Sequence, residues 1–291
     1  MPTMCGIFGA PFSVMTAHNA GSTTPMPFQY LSRLKRRPMP FQYLSHLSSE
    51  NRDTQSDRHL GCALAFVAGA VNAGGFLAIG RYTSHMTGIV SGMADELALG
   101  NFALALAALA AWIAFLLGAA STALLINWAR RHRLRSQYAL SLMLEAALLL
   151  LFGLAGTHLA GMSDVLAPVT VLLLCFIMGL QNAIITKVSG AVIRTTHVTG
   201  LSTDIGIELG KLLYYNKQRI PALVVLANRD KLKLHALLLG FFFVGGVSGA
   251  LGFKHVGYSA TIILAAALAL LAVGPILQDM RLRWRYYRVK P

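Results

Sequence analysis

The sequence predicts an all-α polytopic membrane protein: six transmembrane helices plus two short non-spanning helices, arranged as an inverted three-span repeat. Three observations carry this. Apolar runs reach membrane-spanning length, basic residues gather in blocks beside them, and a polar pentad with its surroundings is written twice. Composition agrees, with 55% hydrophobic and 12% charged residues and a mean hydropathy of +0.59, which excludes an ordinary soluble domain.

Residues 1–58 precede the first apolar run and read as a disordered or loosely structured cytoplasmic tail. The octapeptide PMPFQYLS stands at residues 25–32 and again, letter for letter, at residues 38–45, a tandem duplication. Its Pro, Ser and basic content cannot bury a core. MCGIFG, residues 4–9, resembles the N-terminal cysteine motif of glutamine amidotransferases, but the tail is far too short for that domain. No clear secretory signal is present. Cys5, Cys62 and Cys175 form no CxxC pair, so neither a disulfide framework nor a cysteine metal site is expected.

Crossing a hydrocarbon core of ~30 Å takes ~20 helical residues. Six runs qualify, at 60–80, 102–128, 138–160, 165–186, 234–253 and 258–277. They are rich in Leu, Ala, Ile and Val without period-two alternation, which favours helices over barrel strands.

A formal charge of +14 raises the question of nucleic acid, yet the basic residues form no recognisable binding module, and no nucleic-acid partner is expected. Topology accounts for them. Blocks precede span one (Arg33 to Arg58), follow span two (Arg130 to Arg135), separate spans four and five (Lys187 to Lys233) and follow span six (Arg281 to Lys290). With all four blocks in the cytoplasm, only Arg81 and Lys254 lie outside, as the positive-inside rule prefers. Both termini are then cytoplasmic.

The repeat is the most informative feature. FVAGAVNA, residues 66–73, aligns with FIMGLQNA, residues 176–183, at an offset of 110; SHMTG, residues 84–88, aligns with THVTG, residues 196–200, at 112. Glu96 matches Glu208 at the same 112, and FLLGAASTAL, residues 115–124, matches FFVGGVSGAL, residues 242–251. Each half reads span, pentad, short segment, span, span. The short segments, 86–100 and 198–213, carry two acids each (Asp95 and Glu96; Asp204 and Glu208), and about fifteen residues reach only ~22 Å as helix, too short to span. Three spans per half is an odd number, so the second half, 165–279, enters the membrane inverted relative to the first, 60–162, as in many channels and secondary transporters. Residues 280–291 read as a basic cytoplasmic C-terminal tail.

FVAGAVNAGGFLAIGRYTSHMTG and MGLQNAIITKVSGAVIRTTHVTG resemble the two signatures of the YoaK-like transmembrane proteins, a bacterial family of unknown function. The resemblance covers roughly residues 60–277. It implies a multi-pass protein of the bacterial inner membrane and supplies no activity. Where the family often carries an acidic residue and an Asn, this chain has Asn72 and Ile89, so a role requiring a carboxylate at the first position is not implied here.

Candidate ligand contacts follow from the pentads. Ser84 and Thr195 or Thr196 stand where they would cap a helix, whose unpaired N–H groups attract an anion. Thr87, Thr199 and Thr203 offer hydroxyls, and Gly88 and Gly200 permit close approach. His85 and His197 are candidates for ligand contact or protonation, against a plain reading as neutral histidines bonding a neighbouring carbonyl. Glu96 and Glu208 lie three turns beyond their histidines, ~16 Å along the axis, and read either as ion-coupling groups or as interfacial segment ends. Asn72, Asn182 and Gln181 are mid-span amides that either join helices or touch solute. GxxxG spacings at Gly88/Gly92, Gly206/Gly210 and Gly245/Gly249 suggest close helix packing. Glu145 has no counterpart in the other half.

The best-supported expectation is a transporter or channel for a small polar or anionic solute, with a central site formed by both pentads. A non-transporting assembly or sensor protein is the alternative. An intramembrane enzyme ranks lower, because Asp204 lies ~10 Å along the helix from His197 and no catalytic motif is recognisable. No cofactor or metal is expected. The partners are the lipid bilayer and a small solute, and a homo-oligomer is compatible with the sequence.

Overall fold

The structure is a computed structural model that describes residues 54–134, 136–159, 163–189, 195–215 and 224–289. The duplicated octapeptide and most of the expected tail lie outside the described residues. All regular structure among them is helical: α1 Thr54–Ile79, α2 Met86–Ala98, α3 Phe102–Arg131, α4 Ala139–Leu159, α5 Ser163–Val188, α6 Val198–Leu213, α7 Arg229–Val256 and α8 Ala260–Val289, with a 3-10 turn at Gly257–Ser259 joining α7 to α8.

Local chemistry sets the ends. Asn228 caps α7, its Oδ1 accepting from the Lys231 N–H at 3.0 Å, which satisfies one of the orphan donors of the first turn. The same helix stops at Gly257, whose φ of 65° is open to glycine at little cost. Helix α3 ends on Arg130 and Arg131, cations that complement the negative end of its dipole.

Among the described residues, four stretches are long and apolar enough to cross a membrane: Asp57–Ile79, Phe102–Arg131, Pro168–Val188 and Arg229–Leu282. The last holds α7 and α8 as far as Leu282, and Ala139–Leu154 is a shorter apolar helix. The expected spans coincide with helices, with two differences. Helix α1 starts at Thr54, inside the expected tail, and α8 continues to Val289 through the basic stretch set apart as a terminal tail. Hydropathy registers only the apolar part of a helix, whereas Gln, Arg and Leu sustain helix beyond it.

The most extensive contacts are α1 with α7, α3 with α5, and α4 with α8. All three pairs cross between the halves, and the first two are built alike. On α1, a Cβ at Gly69 would overlap the Phe242 carbonyl of α7, and a Cβ at Gly245 of α7 would overlap the Phe66 carbonyl. The other pair repeats this: Gly118 of α3 lies on the Phe176 carbonyl, and Gly179 of α5 on the Phe115 carbonyl. These are the Phe and Gly positions that the sequence repeat matches. Ala70 meets Gly249 and Gly74 meets Phe253, so α1 and α7 advance in parallel. In the second pair the position equivalent to Gly249 is Thr122, whose hydroxyl donates to the Leu180 carbonyl at 3.0 Å.

Helices α1 and α5, the first of each half, run antiparallel: Gln181 Nε2 donates to the Leu64 carbonyl at 3.3 Å, while Gly75 faces Leu174. They are the interior helices, half of each apolar window being buried against 17% for α3. Leu64, Leu142, Leu174, Ile177, Met178 and Leu180 are fully buried between elements. Leu106, Leu124, Phe243 and Ile263 point outward, an apolar exterior suited to lipid. The GxxxG expectation holds for Gly245 and Gly249 only. Gly92, Gly206 and Gly210 face open space, and Gly88 is covered by its own neighbour His85, because α2 and α6 pack through other faces.

Gly69→Ala and Gly179→Ala are each expected to lower stability by about 1–3 kcal/mol, as overpacking does. Gly206→Ala has room and is expected to be neutral or stabilising by up to ~1 kcal/mol through helix propensity. Thermal unfolding of the purified protein in detergent measures all three, and unchanged stability of Gly69→Ala and Gly179→Ala would contradict the interlock.

Candidate functional site

Each pentad is held by the asparagine of the preceding helix. Asn72 Oδ1 accepts from the Ser84 hydroxyl at 2.8 Å and from the Ser84 N–H at 3.3 Å. Asn182 Oδ1 accepts from the Thr196 hydroxyl at 2.6 Å, while its Nδ2 donates to the Met178 carbonyl at 2.8 Å. The amides therefore fasten the pentads to α1 and α5. A carboxylate at the first position would accept equally well.

The expected capping role of Ser84 and Thr195 or Thr196 is not what the structure contains. The N-cap positions of α2 and α6 are His85 and His197, and neither side chain bonds the helix. The serine and threonine hydroxyls are turned back to the asparagines instead. Thr83 and Thr195, a matched pair, are buried with hydroxyls that have no hydrogen-bond partner. Both histidines stay exposed, and each imidazole lies over the glycine three residues on, where a Cβ at Gly88 or Gly200 would strike the ring. These glycines make room for histidine.

The far ends of the short helices are tied down as well. Glu96 Oε2 accepts from Asn101 Nδ2 at 2.7 Å, and Asn101 is the N-cap of α3. Glu208, only 2% exposed, accepts from the N–H of Asn228, the N-cap of α7, at 2.7 Å and pairs with Lys211 at 2.9 Å. The Lys211 ammonium and then the Asn228 N–H hold the Glu208 carboxyl below the usual carboxylate range. Asn101 and Asn228 escaped the sequence reading. The signal was present, since they stand 127 apart, the separation of Phe115 from Phe242.

Beside the second pentad lies a cavity of about 830 Å³. His197, Thr199, Gly200, Thr203 and Asp204 of the α6 segment face Asn228, Asp230, Lys231 and His235 of the α7 segment, with Arg58 of α1 on the rim. Lys231 Nζ reaches Asp204 Oδ1 at 3.2 Å, and His235, 4% exposed, places Nδ1 3.6 Å from Asp204 Oδ2. Two helix N-termini, hydroxyls, cations and the carboxylates of Asp204 and Asp230 thus meet in one space, a setting suited to polar groups. Of the expected site residues, His197, Thr199, Gly200 and Asp204 line it. Thr196, Asn182, Gln181 and Glu208 support it from outside the lining, and Ser84, His85, Thr87, Gly88, Asn72 and Glu96 belong to the other half and take no part in it.

These features define a helical protein of membrane type, with two similarly built halves and a polar cavity beside the second pentad. The chain belongs to the DUF1275 family, a protein family of unknown function, which it matches over residues 60–274, across both halves. No curated protein and no solved structure matches it.

Asn72→Ala and Asn182→Ala should each lower stability by about 0.5–1.5 kcal/mol, the net value of one lost hydrogen bond, whereas Asn72→Asp keeps the acceptor and should stay near wild type in thermal unfolding. Glu208 sets a pH dependence. Because its folded-state carboxyl titrates below the unfolded one, its contribution is complete above the ordinary glutamate value of about 4.3 and disappears as pH falls through the depressed folded value. Unfolding midpoints recorded on acidification should show this loss in wild type and a smaller one in Glu208→Gln.

Proposed function

We propose that the protein is a six-span inner-membrane transporter or channel for a small polar or anionic solute, built as an inverted repeat with both termini in the cytoplasm. The cavity beside the second pentad carries this reading. A solute there meets the N-terminus of α6, the Thr199 and Thr203 hydroxyls, the His197 ring, Arg58, and Lys231 with its partner Asp204, beside Asp230. The antiparallel course of α1 and α5 and the charge blocks at the ends of the spans support the inversion. The joined stretch Arg229–Leu282 is long enough for two crossings at ~20 residues each.

The first pentad repeats the same construction, with Asn72 holding Ser84 as Asn182 holds Thr196. In this reading the two sites alternate: that at His197 opens to the cytoplasm in one state, and its counterpart at His85 opens outward in the other. The Lys231–Asp204–His235 cluster joins α6 to α7 and is placed to act as the gate.

A thermal-shift screen of the purified full chain against phosphate, chloride, monocarboxylates and dicarboxylates tests the site. A binding anion at a hundred times its Kd stabilises by about 2.7 kcal/mol. That shift should vanish in His197→Ala and persist in His85→Ala, while flux of the same anion into proteoliposomes should fail in both. Well-folded protein that is stabilised by no solute and supports no flux would favour the non-transporting assembly reading.

A further inference from the structure

Glu145 lies within α4, fully buried, and neither carboxylate oxygen has a hydrogen-bond partner. One turn earlier, Ser141 is equally buried and its hydroxyl is also without a partner. A further four residues back, in the turn that leads into α4, Gln137 is 3% exposed and its Oε1 accepts from Arg130 Nε at 2.8 Å. The spacing of four places Ser141 and Glu145 on one face of α4, with Gln137 in the turn that leads into it. A buried polar line therefore runs from a guanidinium at the end of α3 to an acid inside the apolar core.

Nothing around Glu145 compensates a charge. Helix α8 packs on α4 antiparallel, with the Ser136 N–H on Asp279 Oδ2 at 2.8 Å at one end and Gly153 against Thr261 at the other. The stretch of α8 between, 261–278, contains no titratable residue, and neither does 102–129 of α3. On α5 the described titratable side chains are Cys175, buried, and Lys187, exposed at its end, and the 3-10 turn offers Tyr258 near Gly156. None is paired with Glu145. An ionised carboxylate in this setting is strongly disfavoured, and unsatisfied buried polar groups concentrate where function requires them.

We propose that Glu145 is a proton-binding site in the core of the membrane domain, loaded from the Arg130 end past Gln137 and by way of the Ser141 hydroxyl. The carboxyl takes up one proton from water at that end and returns it by the same line, so the site is neutral when loaded and carries one negative charge when empty. Its use as the coupling group of a proton-linked transporter rests on the reading above; the proton site itself does not.

Infrared spectroscopy of the purified full chain in lipid, at neutral pH and after transfer to D2O, tests this without any solute, and so independently of whether the cavity binds one. Wild type should show a carboxylic-acid C=O band that is lost in Glu145→Gln and moves on deuteration. Ser141→Ala should keep the band and slow its deuteration by about tenfold or more, the scale on which a positioned proton relay acts. Where Glu145→Gln does not fold, Glu145→Asp keeps an acid and must shift the band. No Glu145 acid band in folded wild type, a band that never deuterates, or equal exchange in Ser141→Ala would each overturn the proposal.

Discussion

Backbone contact between the halves, at four glycines, is the constraint on which the rest depends. Gly69 and Gly245 let α1 and α7 touch at the Phe242 and Phe66 carbonyls, and Gly118 and Gly179 do the same for α3 and α5. Lipid tails are as apolar as the helices they surround, so association in a membrane draws on close packing more than on burial from water. A Cβ at any of the four removes that approach. The contacts are reciprocal because each half supplies both partners of the motif, so neither half completes its packing without the other.

This exchange explains how the polar segments are supported. Helix α2 is tied to α1 through Ser84 and Asn72 and to α3 through Glu96 and Asn101; α6 is tied to α5 through Thr196 and Asn182 and to α7 through Glu208 and Asn228. Since α1 packs on α7 and α5 on α3, the short helices bridge the two interlocked pairs, and the six elements form a closed ring. A relative shift of the pairs necessarily moves both pentads. Around the second pentad, Lys231, His235 and Arg58 line a cavity.

Much of the fold was legible because membrane spans announce themselves by length and hydropathy, and because polar residues inside apolar runs are rare enough for a fixed offset to be meaningful. The matched Phe, Gly, Asn, His and Glu pointed to residues that do occupy equivalent places. What they touch was less legible. Ser84 and Thr196 have the right chemistry and position for caps, but a mid-span asparagine nearby is a better partner for their hydroxyls than a helix end already facing solvent. The glycines of α2 and α6 have the packing spacing without a packing partner. Asn101 and Asn228 were overlooked because a loop of different length precedes each, which breaks the offset of 112 and starts the offset of 127. The cavity draws Asp230, Lys231 and His235 from α7 and Arg58 from α1, and the matched positions of the repeat do not reveal that.

In the proposed arrangement the two halves enter the membrane in opposite senses, so the α2–α3 turn and the start of α7 open on opposite sides. Replacing Cys5, Cys62 and Cys175, then placing single cysteines at Leu99 and Lys233, both exposed, allows labelling with an impermeant maleimide in intact cells and in inverted vesicles. Leu99→Cys should react in intact cells, and Lys233→Cys only in inverted vesicles. Reaction of both from the same side would contradict the inverted arrangement.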